Sequence, residues 1–130
     1  MPSGQPARRP AAEGARARIQ RVLKLSSLFE RASRATRDTA MASGELGVAA
    51  GGAVVLAQGS VPDALLLLGR GRARLELAAP DGRVVPLGFR GAGEVLGEQC
   101  FGHAKEHADS ATAMEEIEYV RLLLPLLDEL

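Results

Sequence analysis

Between Gly93 and His107 the chain reads GEVLGEQCFGHAKEH, with Gly97-Glu98 at the end of a short apolar run and just before a candidate helical turn. A carboxylate beside glycines, followed by several backbone N–H groups that a turn leaves unbonded, suits a sugar-phosphate. The acid takes the ribose hydroxyls and the amides take the phosphate. This pattern predicts Glu98 as a buried, hydroxyl-binding carboxylate and the N–H groups of Gln99 and Cys100 as phosphate donors. A plainer reading has Glu98 stabilising the start of the turn on its own account.

Other chemistry is poorly supported. Cys100, His103 and His107 lie in one loop, and one Cys with two His is too few for a closed zinc site without a carboxylate. Cys100 reads instead as a small core residue. A metal oxygenase on a small β-barrel needs two or three histidines and a glutamate at strand spacing, which this chain does not offer. It has no glycine-rich elbow around a serine, no Cys/His dyad across the chain and no P-loop. The expectation is a binding domain with no catalytic residues and no metal.

The elements that would hold the Gly93–His107 segment are legible on both sides of it. Met1 to Gly14 is rich in Pro, Gly, Ala and Arg without periodicity, and is expected to be a disordered basic arm. Residues 15–43 form an N-terminal helical segment, since Ile19, Val22, Leu23, Leu25, Leu28 and Phe29 recur at helical spacing. A break is expected around Ser26-Ser27, and the apolar face should rest on the chain's own sheet. After Gly44 short apolar runs alternate with turn residues, placing strands at Val54–Ala57, Ala64–Leu68, Arg72–Ala78, Arg83–Phe89, Ser110–Met114 and Ile117–Leu122. In the third, Ala73, Leu75 and Leu77 face one way and Arg72, Arg74 and Glu76 the other, as in a half-buried antiparallel strand. Pro80-Asp81-Gly82 should close a hairpin onto the next strand. Leu124-Pro125-Leu126 reads as the first turn of a helix, cut short at Leu130. Helix, about eight short strands, then a truncated helix: the fold class is mainly β. It is a double-stranded β-helix or jelly roll (a β-roll, residues 44–123) with flanking N-terminal helices and a truncated C-terminal helix at 124–130.

Bulk numbers fit one domain. The chain has 130 residues, 46% hydrophobic and 25% charged, enough for a single core. No run approaches the roughly 18 apolar residues of a membrane span, and no apolar stretch follows the N-terminal arginines as a secretory signal would require. A lone cysteine fits a reducing cytoplasm. The zero net charge conceals an asymmetry: residues 1–40 hold nine Arg and Lys against three acids, and residues 41–130 hold seven against thirteen. A basic arm on an acidic body could touch nucleic acid, but no aromatic or recognition-helix pattern accompanies it. The arginines are expected to pair with the body.

The order of these pieces resembles the cyclic nucleotide-binding domain family. AAGGAVVLAQGSVPDALLLLGRGRARL (49–75) is similar to that family's opening, with its Gln-Gly turn, Pro-Asp pair and apolar strand. PDGRVVPLGFRGAGEVLGE (80–98) is similar to the family's next portion, ending on the Gly-Glu that opens the phosphate-binding cassette. The resemblance covers roughly residues 19–127. It implies that Glu98 bonds the ribose 2′-hydroxyl and that Ala108 and Ser110 lie where small residues contact the ligand. It also implies an arginine, nine or ten residues after the glutamate, on the cyclic phosphate. Counting from Glu98, and separately aligning HADSATA, both place His107 there.

Histidine cannot replace the permanently charged, planar fork of arginine. Losing a charge-assisted contact costs about 1.5–3 kcal/mol, which is about ten- to a hundredfold in affinity. His107 is therefore expected either as a weak phosphate contact or as a surface-loop histidine. The resemblance is strongest to the sensor domains of Crp/Fnr-type bacterial regulators, many of which keep the fold without an intact nucleotide site. The functional expectation is a regulatory ligand-sensing module with weak or lost cAMP or cGMP binding. Two alternatives accompany it: the sensor fragment of a DNA-binding regulator, dimeric at full length and touching nucleic acid only through a C-terminal domain, or an inert scaffold.

Overall fold

The computed structural model describes residues 12–98 and 105–123. Most of the expected arm, the Gln99 and Cys100 amides and the helix expected from Leu124 lie outside those residues.

Helix α1 spans Ala12–Leu25 and α2 spans Arg34–Ser43, with a 3₁₀ turn at Ser27–Phe29 between them. Helix α1 begins three residues before the expected Ala15. The alanine at 12 favours this earlier start, since alanine is the best helix former. The break falls where expected: the Ser26 hydroxyl accepts from the Leu28 N–H, and the Ser33 hydroxyl caps α2 by accepting from Thr36. Arg37 ties the pieces together, donating from Nε and Nη2 to the Phe29 carbonyl at 3.2 and 2.9 Å.

Eight strands complete the described chain: β1 Glu45–Ala49, β2 Val54–Leu56, β3 Ala64–Arg70, β4 Ala73–Ala78, β5 Val84–Arg90, β6 Val95–Leu96, β7 Ser110–Ala113 and β8 Ile117–Leu123. They form two antiparallel four-stranded sheets, ordered β1-β8-β3-β6 and β2-β7-β4-β5. The Pro80-Asp81-Gly82 hairpin closes as expected, with the Gly82 N–H on the Ala79 carbonyl and the Arg83 N–H on Asp81 Oδ1.

The first sheet is covered on both faces. Leu65 and Leu67 of β3, with Val120 and Leu122 of β8, meet Ile19, Val22, Leu23 and Phe29 from the helices. Leu66 and Leu68, with Ile117, turn the other way and meet Ala73, Ala111 and Ala113 of the second sheet. The result is three layers, helices on sheet on sheet. Glu118 lies on the helix side of β8, its side chain 4% exposed, and takes Arg21 Nη2 at 2.8 Å and Arg18 Nη1 at 3.5 Å. Two basic residues of α1 thus pair with the body, as the charge asymmetry implied. No helix among the described residues is long and apolar enough to cross a membrane.

Helix α1 meets β3 at Gly69, where a Cβ would collide with the buried, stiff side chain of Val22. Gly69→Ala is expected to destabilise the protein by about 1–3 kcal/mol, read from urea unfolding. The Val22→Ala/Gly69→Ala double variant should be less destabilised than the sum of the singles. Strict additivity would show that the two residues do not touch.

Candidate functional site

The Gln58-Gly59 turn after β2 fixes where His107 sits. The Gly59 N–H donates to the His107 carbonyl at 2.9 Å, and the His107 N–H donates to the Ser60 carbonyl at 2.7 Å. Gln58 anchors the same turn to β4: its side-chain oxygen accepts from the Ala78 N–H at 2.8 Å and its amide donates to the Ala78 carbonyl at 3.2 Å. The Gln58 N–H in turn donates to the Ser110 hydroxyl at 2.9 Å. The Gln-Gly pair therefore binds the loop that carries His107 to the second sheet.

Held this way, His107 points inward. It is buried, 3% exposed, which corrects the expectation of a surface-loop histidine: the two backbone bonds leave its side chain directed at the space between the sheets. Gly97 makes room for it. With φ at +84°, it adopts a conformation L side chains rarely take, and a Cβ there would lie 3.4 Å from His107 Cε1, 3.1 Å from Leu56 Cδ1 and 3.2 Å from the Ala64 carbonyl oxygen.

Glu98 goes elsewhere. The expected buried carboxylate is 47% exposed and faces Arg90, with Oε1 3.8 Å from Nη2. An ion pair this open contributes little to stability. The side chain lines an open cleft with Ser27, Leu28, Gly93, Glu94 and Val95. The positive φ at Gly97 turns the chain, so the glycine and the acid that follows it address different spaces.

The expected site residues therefore divide. Gly97 and His107 meet, and Glu98 faces away from them. Ser110 is committed to the Gln58 amide, and Ala108 is exposed. Gln99 and Cys100 fall outside the described residues. Among the described residues no group of His, Cys, Asp and Glu could hold a metal.

Beside His107 is a cavity of about 290 Å³, walled by Leu56, Ser60, Asp63, Leu66, Tyr119 and Arg121 among others. Two of its polar groups, Tyr119 and Arg121, had no signal in the motif pattern. The signal available was the alternation of β8: Ile117 faces between the sheets, so Tyr119 and Arg121 must face there too. Arg121 is held by two carboxylates, with Nη1 3.3 Å from Glu45 and Nη2 3.5 Å from Asp63.

The comparisons with known proteins agree with this architecture. A family model described as cyclic nucleotide-binding domain matches residues 48–130. The N-terminal domain of a transcriptional regulator from Streptomyces coelicolor A3(2) is 25% identical with a TM-score of 0.71, over 82% of this chain and 76% of that one. The sensor domain of the transcriptional regulator DNR from Pseudomonas aeruginosa is 22% identical with a TM-score of 0.78, over 88% and 77%. The regulatory domain of Toxoplasma gondii PKA, solved with cAMP, is 17% identical with a TM-score of 0.79; the match covers 92% of this chain but only 45% of that one. Among curated proteins none matches the chain by sequence.

Replacing Gln58 with Ala removes both side-chain bonds to Ala78 and is expected to cost about 0.5–1.5 kcal/mol. Amide hydrogen exchange should accelerate at Ala78 while the His107 and Gly59 amides stay protected. Unchanged exchange at Ala78 would show that the Gln58 side chain does not hold the end of β4.

Proposed function

The chain belongs to the cyclic nucleotide-binding domain family, and on that premise we propose that it is a regulatory ligand-sensing module whose affinity for cAMP and cGMP is weak or lost. The observation that carries the reading is the occupant of position 107. Where the family's pattern places an arginine on the phosphate, this chain has a buried histidine against Gly97. The orientation of Glu98 supports the same conclusion, because a carboxylate turned to Arg90 is not aimed at a ribose beside His107. Without either handle, a cyclic nucleotide loses its charge-assisted contact and its hydroxyl acceptor.

Regulation would proceed by population shift. A ligand in the cavity touches Tyr119 and Arg121 of β8, and the chain continues from the end of that strand into Leu124. A ligand that prefers one position of β8 biases the segment beyond it, by no more than its difference in affinity for the two positions. The mechanism needs no catalytic residue.

The architectural likeness to regulator sensor domains from Streptomyces coelicolor and Pseudomonas aeruginosa favours a second reading. In it this domain is the sensor half of a dimeric transcriptional regulator that meets DNA only through a further C-terminal domain. The cytoplasm is the compartment that suits either reading.

Calorimetry with cAMP and cGMP tests the proposal. The expected Kd is weaker than about 100 μM, where the free energy falls below about 5.5 kcal/mol. Micromolar or tighter binding would overturn the weak-site reading. His107→Arg should tighten cAMP binding by about ten- to a hundredfold. If that variant keeps its melting temperature and binds no better, position 107 does not face the phosphate.

A further inference from the structure

We propose that the cavity beside His107 is a binding site for an uncharged heterocycle of nucleoside class, in which a phosphate contributes nothing to affinity. The inference rests on the proposed role as a sensor of a nucleotide-like ligand, and it names the ligand class.

Size and lining come first. At about 290 Å³ the cavity stands at the lower end of small-molecule sites. Leu56 and Leu66 supply apolar walls. Tyr119 brings an aromatic ring that lies over its cross-strand neighbour Gly47. Ser60 already donates its hydroxyl proton to the Ala57 carbonyl, so its oxygen is left as an acceptor for a ligand N–H or O–H. An aromatic face, apolar walls and a hydroxyl acceptor suit a flat heterocycle with polar edges.

Charge decides against an anion. Among the described residues lining the cavity, Arg121 is the only Arg or Lys. Its two terminal nitrogens face Glu45 and Asp63, so one cation stands against two carboxylates. A phosphodiester reaching Arg121 here would sit beside Asp63, which lines the same cavity, and be repelled by its charge. The neighbouring cleft offers no better, since Glu94 and Glu98 share it with Arg90. Removing a charged group from water without a partner is among the largest penalties in binding. A neutral ligand avoids it.

The test is an NMR titration of the ¹⁵N-labelled chain with adenosine and, separately, with cAMP. The expected result is shifts at Leu56, Ser60, His107 and Tyr119, with the two dissociation constants within about threefold and insensitive to added salt. Ala57→Trp, on the exposed rim of the cavity, should weaken adenosine by at least about tenfold with the thermal midpoint unchanged. Binding of cAMP at least about tenfold tighter than adenosine would overturn the inference and leave the sensing module standing. Shifts centred on Arg90 and Glu98 would overturn the placement in this cavity. No binding of either compound at millimolar concentration would overturn the inference, while agreeing with a module whose cyclic nucleotide affinity is lost.

Discussion

The structure depends on a strand that is apolar on both faces. β3 carries four consecutive leucines, Leu65 to Leu68, all buried. Alternation sends Leu65 and Leu67 to the helices and Leu66 and Leu68 to the second sheet. Burying each such side chain contributes about 1.5–3 kcal/mol, and a strand of this kind cannot be left uncovered on either side. The three-layer order is a consequence of that requirement. The helices cover one face because Ile19, Val22, Leu23 and Phe29 match it, and the β2-β7-β4-β5 sheet covers the other. The cavity beside His107 is lined by Leu66 of β3 and by Val55 and Leu56 of the sheet that covers its inner face.

Local and pairwise patterns in the sequence proved reliable. The Ser26 break, the Pro80–Gly82 hairpin and the six predicted strands all reappear, with ends shifted by one or two residues. β1 and β6 were harder to delimit. β6 has only two residues, and β1 includes Gly47, which opposes the ring of Tyr119; neither offers a run long enough for alternation to register. The site was less legible than the fold. Sequence spacing can place Glu98 and His107 nine residues apart, but it cannot say that a positive φ at Gly97 sends them into different spaces. That is a property of one backbone dihedral, and glycine is compatible with both signs. Gln58 was visible only as half of a turn. Its grip on Ala78 joins residues twenty apart in sequence, and no local pattern encodes such a contact.

The loop at His107 separates the path of the backbone from the chemistry of the side chain it carries. His107 is held by backbone bonds to the Gln-Gly turn, and these do not depend on which side chain stands at 107. A different side chain at 107 would therefore change the chemistry of the pocket while the backbone bonds that hold the loop remain. Fold and specificity are stabilised by different atoms here, so membership of the family settles the first and leaves the second to the particular residues.

The alternation of β8 has a consequence for communication across the domain. Glu118, Val120 and Leu122 belong to the helix side, while Ile117, Tyr119 and Arg121 belong to the inner side. The strand is a partition one peptide thick, with a salt-bridged carboxylate on one side and the cavity's aromatic ring on the other, on adjacent residues. Rotation of the strand about its own axis would move both at once, in opposite directions. The N-terminal helices and the cavity are thus remote along the chain yet covalent neighbours through a single Cα–Cα step.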